Sequence, residues 1–277
     1  MRIRVFCLAA MLSCVACAAR EHHVRSGARD FLYPKGAEAA QAADVRLRLP
    51  VTVGLAFAPP SKERGEAFTE LQKTRLLERI AASFRGRNGI RDVVVVPTTY
   101  LRPGGGFENV RQLASGFGLD LLALVSYDQF QFTESGRSSW TYWTIVGAYV
   151  VKGERNETRT VLDTVVYDIP SRAMLFHASG RSEGEIRATP AGVDRAVRLA
   201  REEGFERATD DLIAGLDRAL DAFAAQARTG TVRGAGTPAV TMLDEDGKPV
   251  GGGGAAGLEL LLAGLVVLAA RLSARRD

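Results

Sequence analysis

Apolar positions recur along this chain with two periods, and each period predicts an element. VTVGLAF at 51–57, stopped by Pro59 and Pro60, reads as a strand. Phe68, Leu71, Leu76 or Leu77, Ile80 and Phe84 then follow at helical spacing, which predicts an amphipathic helix over 65–86 closed by Gly86. DVVVVP at 92–97 reads as a short buried strand, 107–117 as a second helix, and LDLLALVSYDQFQFT at 119–133 as a strand that becomes amphipathic towards its end. Three long β segments are expected at 140–153, 158–169 and 172–181, with turns at Gly153 to Asn156 and at Pro170-Ser171, so an antiparallel meander follows. Pro190 opens a long helix to about Arg228 with Val193, Val197, Phe205, Leu212, Leu216, Leu220 and Phe223 along one face. The predicted fold class is α/β, a mixed sheet with helices in one globular domain over residues 40–228, preceded by a tether at 17–39.

Neither end continues this pattern. Residues 1–16 carry Arg2 and Arg4, then a twelve-residue apolar stretch from Val5 to Ala16, and the chain reaches Cys17 through small residues. Positive, apolar and small segments in that order make a secretory signal peptide, too short to span a membrane. Its end resembles a bacterial lipobox, with Val15 and Ala16 before Cys17 and Cys14 standing where leucine is usual. The resemblance implies lipidation of Cys17, with Cys14 as second choice, and Ala18 after it implies an outer-membrane rather than an inner-membrane lipoprotein.

At the other end, residues 229–250 are rich in glycine and proline with little periodic apolarity, which predicts a flexible linker. Gly251, Gly252, Gly253 and Gly254 follow, then Ala255 and the rest of the sixteen-residue stretch AAGLELLLAGLVVLAA, then RLSARRD. Sixteen helical residues span roughly 24 Å against a hydrocarbon core of ~30 Å, so as a transmembrane anchor the segment is short. Arg271, Arg275 and Arg276 form a basic stop that holds the far end in the cytoplasm. Glycine at the edge of a short helix eases the unwinding that an intramembrane protease requires.

Glycine run, short apolar helix and terminal arginines together resemble the GlyGly-CTERM sorting signal, which implies processing by the rhomboid-family protease rhombosortase at Gly251, Gly252, Gly253, Gly254 or Ala255. A lipobox and this tail on one chain resemble the rhombotarget lipoprotein family. Within the body, FLYP (31–34), TYLRPGGGF (99–107), ALVSYDQ (123–129), YWTIVGAYVVKGERN (142–156) and VVYDIPSRAMLF (165–176) are similar to that family's segments, and the resemblance covers about residues 1–270. It implies an exported envelope protein held by membrane lipid through its amino-terminal cysteine, whose partners are lipoprotein processing enzymes and the rhomboid-type protease. The fold pattern is also similar to the periplasmic domain of curli-secretion-type lipoproteins, which gives a secretion or pore-assembly subunit as the alternative.

Composition narrows the chemistry. The chain of 277 residues carries a formal charge of +4, of which the first sixteen residues contribute +2 and the last twenty-three +1, leaving a body without the basic surplus that nucleic acid requires. Cys7, Cys14 and Cys17 are the only cysteines, so the body has neither a disulfide framework nor a thiolate nucleophile. Histidine is confined to His22, His23 and His177, and no G-x-S-x-G elbow, H-E-x-x-H pair or P-loop is present. A hydrolase therefore has no motif behind it, and no catalytic residue, metal or cofactor is assigned. GGGF at 104–107 enters a helix and reads as a structural turn, because Glu108 answers the helix dipole and repels an anion. Asp210 and Asp211 read as a solvated helix face. Trp140, Tyr142, Trp143 and Tyr149 place aromatic rings on both faces of their predicted strand, which reads as burial between layers.

Overall fold

The computed structural model describes residues 20–34, 44–60, 69–135, 154–188, 192–229 and 239–250. In chain order their elements are β1 (Arg20–Ser26), α1 (Ala28–Leu32), β2 (Val45–Arg48), β3 (Val51–Phe57), α2 (Glu70–Phe84), β4 (Ile90–Val95), α3 (Gly106–Phe117), β5 (Leu121–Ser135), β6 (Glu154–Asp168), β7 (Met174–Ala188), α4 (Val193–Thr229) and β8 (Val240–Leu243). The expected strand at 140–153 and its aromatic residues lie outside the described residues.

The main sheet has the order β4-β3-β5-β6-β7. Its first three strands are parallel, and β5, β6 and β7 form the antiparallel meander. β1 and β3 lie end to end along one edge of β5, β3 against Leu121–Val125 and β1, antiparallel, against Tyr127–Thr133. β5 is fifteen residues long, about 50 Å at the usual rise, so the sheet has a base where it is wide and a tip where β1, β5, β6 and β7 extend alone.

Side chains alternate between two cores. Leu121, Ala123, Val125 and Tyr127 of β5 face a layer made by α2 and α4, while Leu122 and Leu124 face α1 and α3 on the opposite side. Ala56, Val96, Phe107, Val110, Leu113 and Ile169 complete the second core with Phe31 and Leu32 of α1. Helices on both faces explain why β3 and the first half of β5 read as nearly continuous apolar runs.

Local chemistry sets the helix ends. α2 begins at Glu70 rather than at 65, because Thr69 and Gln72 form a capping box: the Gln72 amide donates to Thr69 Oγ1 at 3.3 Å and the Thr69 amide to Gln72 Oε1 at 2.8 Å. Leu71, expected on its apolar face, is 62% exposed, and the buried face instead takes in Lys73, whose ammonium is 2.7 Å from Glu70. α3 ends at Gly118, which adopts φ +66°. The turn before it is tied by Asn109, whose Oδ1 accepts from the Arg102 amide at 2.8 Å.

α4 lies against β6 and β7 at very short range. A Cβ on Gly180 would fall inside the van der Waals envelope of the Ala208 carbonyl oxygen and the Leu212 amide nitrogen, and one on Gly204 would stand 2.7 Å from Thr160 Oγ1. Towards the tip this interface is polar. Gln129 Nε2 donates to Thr160 Oγ1 at 2.8 Å and to the Arg201 carbonyl at 3.2 Å, and Gln131 Nε2 donates to Thr158 Oγ1 and to the Val197 carbonyl, both at 3.1 Å. Helix carbonyls keep a second lone pair free for such bonds, so four buried polar side chains hold the helix to the sheet. Asp210 pairs with Arg79 of α2, and Asp211 accepts from the Arg181 amide at 2.9 Å, so both carboxylates join elements as well as meeting solvent.

Two segments depart from the sequence reading. Residues 20–34, read as tether, supply a strand of the main sheet and the buried Phe31 and Leu32. Residues 239–250, read as linker, supply β8, which pairs in parallel with β2, and Val250 donates its amide to the Met242 carbonyl at 2.8 Å. Short apolar pairs such as Val45-Leu47 and Val240-Met242 are too brief to show a period, yet they bury because each is the other's partner.

Candidate functional site

At the base of the sheet, the α4 side of the core leaves a cavity of about 280 Å³. Its floor is Val51, Leu55, Leu121, Ala123 and Val166, its walls are Ile80, Phe84, Leu216 and Phe223, and the β2–β8 ribbon closes it with Leu47 and Met242. Asn88 is the single side chain with a polar group in this lining, and it is exposed at the rim with Val250, beside the half-buried Leu49, Ile90, Leu220 and Ala224.

The alternation of β3 and β5 puts their odd-numbered residues on this face, and Ala123 is small where its neighbours Leu121 and Val125 are not. Leu216, Leu220, Phe223 and Ala224 stand on successive turns of α4, as its apolar spacing requires. Protein interiors leave few voids larger than a water molecule. Water does not fill such a space well, because an ordered water needs two to four polar partners.

A second concavity, of about 500 Å³, lies on the opposite face towards the tip, lined by Arg25, Ser26, Arg29, Asp128, Val161, Asp163 and Tyr167 among others. Three of its charged side chains have partners: His23 Nε2 is 2.6 Å from Asp128, Arg25 is 3.7 Å from Asp30, and Ser179 donates to Asp163 at 2.5 Å. Beside it Phe107 stacks edge-on against Tyr33 and Tyr167, each with centroids 5.6 Å apart, under the Arg172 guanidinium. Burial pushes both phenols above their usual range, with Arg172 partly offsetting this at Tyr33. Both therefore stay neutral near pH 7, packed edge-on against Phe107.

Among the described residues, no group of three His, Cys, Asp or Glu side chains is close enough to hold a metal ion. His177 is exposed on β7. Cys14, Cys17, Gly251, Gly252, Gly253, Gly254, Ala255, Arg271, Arg275 and Arg276 lie outside the described residues. Among the described residues no helix is long and apolar enough to cross a membrane. The cavity had no signature in the sequence, because its lining is drawn from nine elements that only the fold brings together.

No family model matches the chain, and no curated protein matches it. Among solved structures, it is similar to a homologue of the neuraminyllactose-binding hemagglutinin from Helicobacter pylori, at 11% identity and a TM-score of 0.37, over 70% of this chain and 94% of that one. It is also similar to PelC from Paraburkholderia phytofirmans, a dodecamer, at 14% identity and a TM-score of 0.24, over 68% of this chain and 98% of that one. The protein CT253 from Chlamydia trachomatis matches at 12% identity and a TM-score of 0.22, over 67% of this chain and 95% of that one. Scores this low give this chain neither a family nor a function.

Proposed function

We propose that this chain is a non-enzymatic lipoprotein of the bacterial envelope, attached by lipid at Cys17 and carrying a tail that a rhomboid-family intramembrane protease removes near Gly253, Gly254 or Ala255. The observation that carries the reading is the order of two signals around one body: an apolar export segment running into cysteine before it, and a glycine run, an apolar segment and arginines after it. The fold supports this arrangement. Pairing begins at Arg20, three residues after Cys17, and the last backbone bond of the β2–β8 ribbon is made by Val250, one residue before Gly251. Either cut therefore leaves all the described residues in the body.

In this reading the tail sits in the inner membrane with its arginines in the cytoplasm until it is cleaved, and the lipid then keeps the body on the outer membrane or the cell surface. Cleavage frees a new carboxyl end beyond the β2–β8 ribbon, available for attachment of a surface group.

Intact-mass measurement of the mature protein from a host that has the protease reads both ends at once. The expected mass corresponds to a lipid on Cys17 and a carboxyl end near Gly254; a mature chain still ending in Asp277 would reduce the tail to an anchor. Cys17→Ser is expected to abolish incorporation of radiolabelled palmitate, whereas loss in Cys14→Ser alone would move the site to Cys14. Replacing Gly251 to Gly254 together by leucine removes the weakest helix formers, about 1 kcal/mol each, and is expected to leave the tail uncut.

A further inference from the structure

We propose that the cavity under the β2–β8 ribbon is a binding site for one acyl chain, with the chain among Leu55, Leu121, Leu216 and Phe223 and its polar end at the rim beside Asn88 and Val250. The lining selects the class of ligand. Its interior offers only aliphatic and phenyl surface, so a sugar, nucleotide or peptide would leave its hydrogen-bonding groups unpaired there. The volume suits a slender ligand: an engineered cavity of about 150 Å³ with the same kinds of wall stays dry and accepts benzene, and this one is nearly twice as large. A rim whose one polar side chain is the exposed Asn88 fits a molecule that is apolar along its length and polar at one end.

The position of the rim indicates where such a chain comes from. Val250 is both a rim residue and the last residue before the glycines and the apolar tail. The cavity thus opens beside the residue that joins the body to the tail, and the two-signal reading above, on which this rests, puts that tail in a membrane. The chain's own lipid fits poorly. The lipid on Cys17 would leave the body at the tip, where Arg20 pairs with Thr133, about 40 Å along β5 from Leu121. An acyl chain reaches only about half of the ~30 Å hydrocarbon core.

The test uses the full chain in membranes of its host and dodecanoate bearing a diazirine near its methyl end. Photolysis is expected to label peptides containing Ala123, Phe223 or Met242, and excess unmodified dodecanoate to suppress that labelling. Ala224→Phe puts a ring in the mouth and is expected to cut labelling of those peptides about tenfold, with the protease resistance of the body unchanged. Ala123→Ile fills the floor instead and is expected to do the same, so misfolding of one variant leaves the other decisive. A parallel arm places the diazirine in an acyl chain of phosphatidylglycerol vesicles: labelling there assigns the chain to membrane lipid, and labelling by the free acid alone assigns it to a soluble fatty acid. Labelling confined to residues 258–270, or unaffected by both variants, would overturn the site. Labelling that appears only once the tail has been cut would give the cavity to the tail. A mature chain ending in Asp277 with the cavity still labelled would remove the sorting reading and leave the acyl site standing.

Discussion

Replacing Gly180 by valine is expected to cost the body about 4 kcal/mol or more, and in a chain spanning residues 18–250 to abolish its cooperative urea transition. The reason is the nature of the neighbours. The atoms that a Cβ would meet are the carbonyl oxygen of Ala208, the amide nitrogen of Leu212 and, at 2.6 Å, the Leu212 Cβ, all held within α4. None is the far end of a flexible side chain, so relief requires the helix to move off the sheet, and with it Phe205, Ala208 and Leu212, which are 3% exposed or less. Gly184, on the same strand, is the control: the nearest atom to a Cβ there is the tip of Arg207 at 4.0 Å. Gly184→Ala is expected to stay within about 0.5 kcal/mol of the parent. Equal effects of the two substitutions in urea titrations followed by circular dichroism would contradict the close approach at Gly180.

A chain trimmed to residues 40–228 is expected to lack a cooperative thermal transition, while 18–250 shows one. Trimming removes Phe31 and Leu32, which close the second core, and Val240 and Met242, which cover the first. Each large apolar side chain contributes roughly 1.5–3 kcal/mol when fully buried, so the four together contribute on the order of 8 kcal/mol, as much as many domains possess in total. The cut also strips β2 of its partner strand β8 and removes the β1 residues that pair with the tip half of β5. A sharp transition in 40–228 at the midpoint of the longer chain would show that the flanking strands add nothing.

Long, strongly periodic segments were legible in the sequence: β3, α2, α3, β5 and α4 lie within a few residues of where apolar spacing puts them. The mixed sheet with helices was legible too, since strand, helix, strand, helix and meander leave few other architectures. What could not be read depends on distant partners. β1, REHHVRS, has almost no apolar content and is a strand because the tip half of β5 offers an unpaired edge. In QFQF at 129–132 nothing in the sequence says which set faces the helix, and it is Gln129 and Gln131 that are buried, because α4 presents carbonyls and Thr158 and Thr160 present hydroxyls. Lys73 is buried against the expectation for its type because Glu70 lies one turn away. The cavity is a property of volume, and volume is invisible to a pattern of apolar and polar letters.

The end-to-end arrangement of β1 and β3 on one edge of β5 also sets how the body answers a mechanical pull. Arg20 leaves at the tip and Val250 at the base, so tension between the two ends runs along the strands rather than across them. β1 then slides against β5 as a whole, and its register from Arg20↔Thr133 to Ser26↔Tyr127 must break together instead of opening one bond after another. A body stretched between these two ends is thus held at its amino-terminal end in shear, the geometry in which a short strand resists most.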